Sequence, residues 1–114
     1  MPISVNSNLS ALDALANKQG VTANNIANSA SKEFKKSTAE LEAGPNGSVT
    51  SRVQPVSTPG TMLINEDGSL QEMSNVDLGE ELTDMIGTKQ AYQANLKAFK
   101  TSDGMEKSVL DLIG

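Results

Sequence analysis

The 114 residues contain no cysteine, no histidine and no tryptophan. Without cysteine there is neither a disulfide nor a thiolate metal site, and nothing covalent keeps the chain from being threaded unfolded through a pore. Without histidine or cysteine, the commonest general base and the commonest thiol nucleophile are both gone. The carboxylates do not replace them. Asp77, Glu80, Glu81 and Asp84 gather where a helix is expected to begin, and the helix dipole favours negative charge there. The stretch NEDGS at 65–69 lacks the length, spacing and distal Glu of a calcium loop, so it reads as a turn. No glycine-rich phosphate loop follows a strand. The expectation is a non-enzymatic chain with no cofactor and no metal.

Aromatics are scarce, limited to Phe34, Tyr92 and Phe99. A chain this short with so few large side chains builds a thin core, and association with other chains is a common remedy. No apolar run approaches the ~20 residues of a membrane span, so no direct membrane insertion is expected. The opening MPISVNSNLSALDALA has no basic segment followed by a long apolar one and does not read as a cleaved secretory signal. The net charge of −5 argues against nucleic acid as a partner. It is unevenly spread, with +1 over residues 1–60 and −6 over residues 61–114.

Two apolar stripes occupy the two ends. Val5, Leu9, Leu12, Ala16, Gln19, Ala23 and Ile26 alternate spacings of four and three, which predicts a helix over 3–28 with Ser4 or Asn6 as its cap. Leu15 and Val21 widen this stripe. Residues 32–43, KEFKKSTAELEA, read as a short continuing helix in which Lys36–Glu40 and Glu33–Lys36 could pair. GPNG at 44–47 then stops any helix. Residues 48–73 read as short strands with a turn at Asp67-Gly68, and Pro55 marks an edge. From 75 onward Leu78, Leu82, Met85, Lys89, Tyr92, Leu96 and Phe99 repeat the four-three spacing. Ser74 with Asp77, or Asn75, is placed to cap. Beyond Phe99 the seam would fall on Asp103 and Glu106, while the apolar residues move to Met105, Val109 and Leu112. The stripe slips by about one position. The fold expected is mainly α: N- and C-terminal helices forming a coiled-coil-like hairpin, with a small extended or β-hairpin middle. Its parts are residues 1–36, 37–74 and 75–114.

Two ordered motifs resemble a known family. GVTANNIANSASKEFKK (20–36) is similar to the N-terminal signature of the bacterial flagellar axial proteins of the rod and hook. The segment from Ser74 to Gly114 resembles their C-terminal signature, with SNVD, AYQAN, KT, a Met and a final Leu-rich turn in that order. The short middle is most like a small proximal-rod protein of the basal body. That family usually has a glycine before the aromatic of the first motif. Here Ser29–Glu33 precede Phe34 with none, which predicts that helix continues in place of the turn.

The resemblance implies a structural subunit of the flagellar rod. Such a protein crosses the inner membrane as unfolded cargo of the flagellar type III export apparatus, without a cleaved signal. It then assembles, through its terminal helices, with copies of itself and with other rod and hook proteins into a hollow tube across the periplasm. The expected assembly interface is Leu9, Leu12, Leu15, Asn24, Asn25, Ile26 and Asn28 on the first helix. On the second it is Leu82, Met85, Tyr92, Asn95, Leu96, Phe99, Met105, Val109 and Leu110. The amides of Asn24, Asn25 and Asn28 can donate and accept at once. They either fix register against a neighbouring or partner helix, or Asn28 ends the helix while the other two face water. The alternative to a rod subunit is a soluble helical-hairpin adaptor or export chaperone that binds its partners reversibly.

Overall fold

The computed structural model describes the backbone of residues 2–113 and the side chains of residues 6–113. In order, the elements are α1 (Pro2–Ala27), β1 (Ser37–Ala43), a 3-10 turn (Pro45–Gly47), β2 (Val49–Pro55), β3 (Met62–Ile64), β4 (Leu70–Glu72) and α2 (Leu78–Ile113). The molecule is a rod, 78 × 23 × 14 Å. The side chains of Ser4 and Val5, read as a cap and as the first member of the stripe, lie outside the described residues.

α1 is rich in alanine and well-patterned leucine, and it buries Ala11, Leu12, Ala14, Leu15, Thr22 and Asn25. This face lies about one residue away from the predicted seam, since Ala16 and Ala23 are exposed. The reason is that α1 packs against β1 and β2 as well as α2. Its buried sector is therefore shared between two partners rather than centred on one. With Ala39 of β1, the apolar residues of this face are the buried apolar residues among those described. The thin core expected from composition is what the chain has.

Residues 32–43 are not a helix. The chain leaves α1 through turns over 28–33 and enters β1, which pairs antiparallel with β2 in the register Ala39↔Val53, Leu41↔Ser51 and Ala43↔Val49. The local sequence is helix-friendly, but pairing with the β-branched strand Val49–Pro55 overrides that weak preference. The predicted helical ion pairs accordingly do not form. Lys36 Nζ instead reaches Glu80 Oε2 of α2 at 3.9 Å. The second hairpin, β3–β4, turns where the sequence placed it, with Gly68 at φ 87°.

These strands overturn the mainly-α reading. The fold combines two helices with two two-stranded antiparallel sheets. Nor do the helices zip into a coiled-coil-like hairpin. Where they meet, the small residues Ala16, Gly20 and Ala23 face Thr88, Lys89 and Gln93, and an open groove of about 640 Å³ remains between them. The only buried residues of α2 among those described are Glu81 and Thr88.

The turn before Phe34 is also kept, without a glycine. Glu33 takes φ 60°, the left-handed conformation, and its N–H donates to Glu72 O at 3.0 Å. A side chain in that region costs about 1–2 kcal/mol, partly offset in a glycine variant by the greater freedom of its unfolded chain. Glu33→Gly is expected to stabilise the chain by about 0.5–1 kcal/mol, seen as a higher midpoint in denaturant. A lower midpoint would mean that the Glu33 side chain contributes more than its backbone strain costs.

Candidate assembly interface

Below the helices the middle of the chain is gathered into a neck held by side-chain amides. Asn25 is 2% exposed. Its Nδ2 donates to Ser37 O at 2.7 Å and its Oδ1 accepts from Ser37 N at 3.1 Å. It thus pairs with the start of β1 as a neighbouring strand would. Asn75 ties itself in the same way to two other segments at once. Its Oδ1 accepts from Lys36 N at 2.7 Å, and its Nδ2 donates to Val56 O at 2.9 Å and Thr58 O at 3.0 Å. Lys35 forms an ion pair with Glu72 and donates to Thr58 O at 3.2 Å, and Glu72 also accepts from Gly60 N at 3.1 Å. The Lys35 bond, then the Gly60 N–H, hold the Glu72 carboxyl below its ordinary range. The contribution of this clasp is present above the ordinary carboxylate range and is lost as pH falls through the lowered value.

Asp77, not Asn75, caps α2. Its Oδ1 accepts from Glu80 N at 3.2 Å, and Ser74 Oγ accepts from Val76 N at 3.1 Å instead of completing a capping box. Asn75 is thereby free for the neck.

Above the neck, Gln19 Nε2 donates to Met85 O at 3.4 Å, and the groove between the helices is lined by Leu15, Ala16, Gln19, Gly20, Ala23, Thr88, Lys89, Tyr92, Gln93 and Leu96. Gln19 Oε1 is buried there with no hydrogen-bond partner. At the far end of α2, Met105, Val109, Leu110, Leu112 and Ile113 are all exposed, Leu112 by 89%.

The expected interface residues are thus scattered over different environments. Leu12 and Leu15 belong to the core, and Leu15 also reaches the groove with Tyr92 and Leu96. Leu9 and Leu82 are exposed; Ile26, Met85, Asn95 and Phe99 are half-buried. Asn95 Nδ2 donates to Ala91 O of its own helix at 2.9 Å. Asn28 closes α1, donating to Asn24 O at 3.0 Å and Asn24 Oδ1 at 3.3 Å, while its Oδ1 accepts from Ser31 Oγ at 2.9 Å. The three amides therefore split. Asn25 ties α1 to β1, and Asn24 and Asn28 finish the helix. Met105, Val109 and Leu110 stand apart at the other end of the molecule. Sequence reading missed Asn75 and Gly60, which only the return of the chain to the neck brings into use.

Residues 66–112 match the family model for the C-terminal part of flagellar basal body rod FlgEFG proteins. The flagellar hook protein FlgE of Treponema pallidum is 40% identical over 75 residues, which is 62% of this chain and 16% of that protein. That of Borreliella burgdorferi is 49% identical over 41 residues, 36% of this chain and 9% of that protein. That of Helicobacter pylori strain 26695 is 47% identical over 45 residues, 40% of this chain and 6% of that protein. The chain thus spans less than a fifth of the hook proteins it matches. No described helix is long and apolar enough to cross a membrane. The C-terminal part of this chain, most of it the capped 36-residue helix α2, is thus similar to flagellar axial proteins of the rod and hook.

Proposed function

We propose that the chain is a structural subunit of the flagellar rod, delivered unfolded by the type III export apparatus, and that its terminal helices build a hollow axial tube with copies of itself and other axial proteins. The observation that carries this reading is the unfinished helical layer. α2 leaves most of its apolar side chains exposed, among them Leu82, Ile86, Met105, Val109, Leu110, Leu112 and Ile113. A lone chain loses the burial of each, about 1.5–3 kcal/mol for a Leu or Ile. A shell of neighbouring helices recovers it. Rod rather than hook is supported by the small middle. Only residues 28–77, in two two-stranded sheets, separate α1 from α2, and they add little girth to the helical part.

Phe99→Asp and Leu110→Asp test the reading. Phe99 is half-buried on α2 and Leu110 is exposed near its end. In the tube both would be covered, and an Asp there would bury a charge as well as lose apolar contact. Every subunit would carry the defect. Both variants are expected to be synthesised and secreted at normal levels and to abolish swimming. Full motility in both would sink the reading. Loss of secretion would show instead that the export apparatus reads this stripe.

A further inference from the structure

We infer that the exposed end of α2 in one copy docks into the α1–α2 groove of the next copy, so that subunits join tail to groove. This rests on the proposed axial assembly and names the contact that builds it.

The groove is mostly apolar, and Lys89 is the one charged residue in its lining. Its occupant must be slender and apolar on one side, and it must offer something to a cation.

The end of α2 has these properties. At 100° per residue, Met105, Val109, Leu112 and Ile113 fall within a stripe roughly 100° wide. All four are more than half exposed. By the same count the middle of this stripe lies about 120° round the helix from the middle of the Leu96–Phe99 seam, which is what the slip in the sequence pattern means in space. It therefore faces away from α1. The last turn of α2 contains no basic residue, so the final carbonyls present negative charge with no cation from their own turn. Lys89 makes no ion pair among those found for the described residues. A cation at a helix C-terminus is a favourable arrangement.

The tail cannot fill its own groove. Tyr92 and Val109 lie on one uninterrupted helix, about 25 Å apart at 1.5 Å per residue. Only a second copy can supply the tail. A tail meeting a groove is a heterologous contact, and it repeats without limit unless rotation closes it. It would give a lengthwise chain of subunits.

Because the protein has no native cysteine, engineered cysteines report this contact cleanly. Gln93→Cys and Ile113→Cys would be made singly and together in the bacterium that makes this chain, and purified flagella would be oxidised. The double variant is expected to give a ladder of covalent dimers, trimers and longer species. Each single variant should give none, and co-expressed single variants should give dimers alone. Dimers from Ile113→Cys alone would overturn the inference in favour of a tail-to-tail contact. Recovery of the double variant in flagella without a ladder would overturn it while leaving the axial reading intact. Absence of the unsubstituted chain from purified flagella would remove both. Ala16→Cys with Leu112→Cys provides a second pair should the first not be incorporated.

Discussion

Asn25→Leu is expected to unfold the neck, at a cost of about 3 kcal/mol. The side chain is 2% exposed, and its two hydrogen bonds serve both the N–H and the C=O of Ser37. Leu has the volume but neither group. The first residue of β1 would keep a donor and an acceptor facing an apolar side chain, and each such orphan costs about 1–3 kcal/mol. Asn25→Asp should come close in effect, since a carboxylate accepts from Ser37 N–H but faces Ser37 O with no proton to offer. Asn24→Leu is the contrast. Asn24 is exposed, and the change should stay within about 0.5 kcal/mol. Urea unfolding of the three variants checks the set. Equal midpoints for Asn24→Leu and Asn25→Leu would show that the buried amide contributes nothing beyond a solvated one.

Gly60→Ala is expected to be as damaging for a steric reason. A Cβ at Gly60 would sit inside the van der Waals shell of Met73 O, 2.8 Å from Met73 C and 2.9 Å from Ser74 C. These are backbone atoms, so no side chain can swing aside. Relieving the clash moves the Gly60 N–H away from Glu72, and with it one partner of the Lys35 clasp. A loss of about 2–3 kcal/mol follows from overpacking of this kind, and the lowered Glu72 pKa should return toward normal. Gly20→Ala is the control. Nothing lies within 4 Å of its added Cβ, and an alanine inside a helix should gain about 0.5–1 kcal/mol. Thermal unfolding of the two, with carbon NMR of the Glu72 carboxyl through a pH titration, separates the steric effect from a general intolerance of substitution. An unchanged midpoint in Gly60→Ala would mean that the neck is looser than its geometry indicates.

The helices were legible because four-three spacing survives even where burial does not. Leu78 to Phe99 keep the period although α2 buries only Glu81 and Thr88 among its described residues. The signal reported a helix and not where its partner lies. The misreading at 37–43 is instructive. Ala39, Leu41 and Ala43 alternate with Thr38, Glu40 and Glu42, which is the period of a strand. The helix-forming character of Ala, Leu and Glu, and the apparent Lys36–Glu40 pair, masked it. The left-handed turn at Glu33 was hidden for the opposite reason, since no residue there favours the conformation and only the bond to Glu72 O fixes it. Spacing put Leu12, Leu15, Tyr92 and Leu96 on the apolar faces of the two helices, and they lie in the core or line the α1–α2 groove. It could not find Asn75, whose three partners lie 17, 19 and 39 residues away. Nor could it tell that Asn25 would be tied to its own chain and Asn24 left outside.

The β3–β4 turn has a further consequence for how such a chain can grow. Asn65 N donates to Ser69 O at 2.8 Å and Asn65 Nδ2 to Ser69 Oγ at 2.9 Å, so the chain enters and leaves this turn across one pair of residues, and residues 61–70 are exposed throughout. An insertion here would have both of its ends already fixed. Its closure entropy rises only with the logarithm of its length, about 0.6 kcal/mol for each doubling. An inserted domain of any size could therefore hang from the neck while Asn25, Asn75 and the two helices keep their partners. The outer girth of an assembly made from such subunits becomes an adjustable property, set at one turn and independent of the packing that holds its inner layer together.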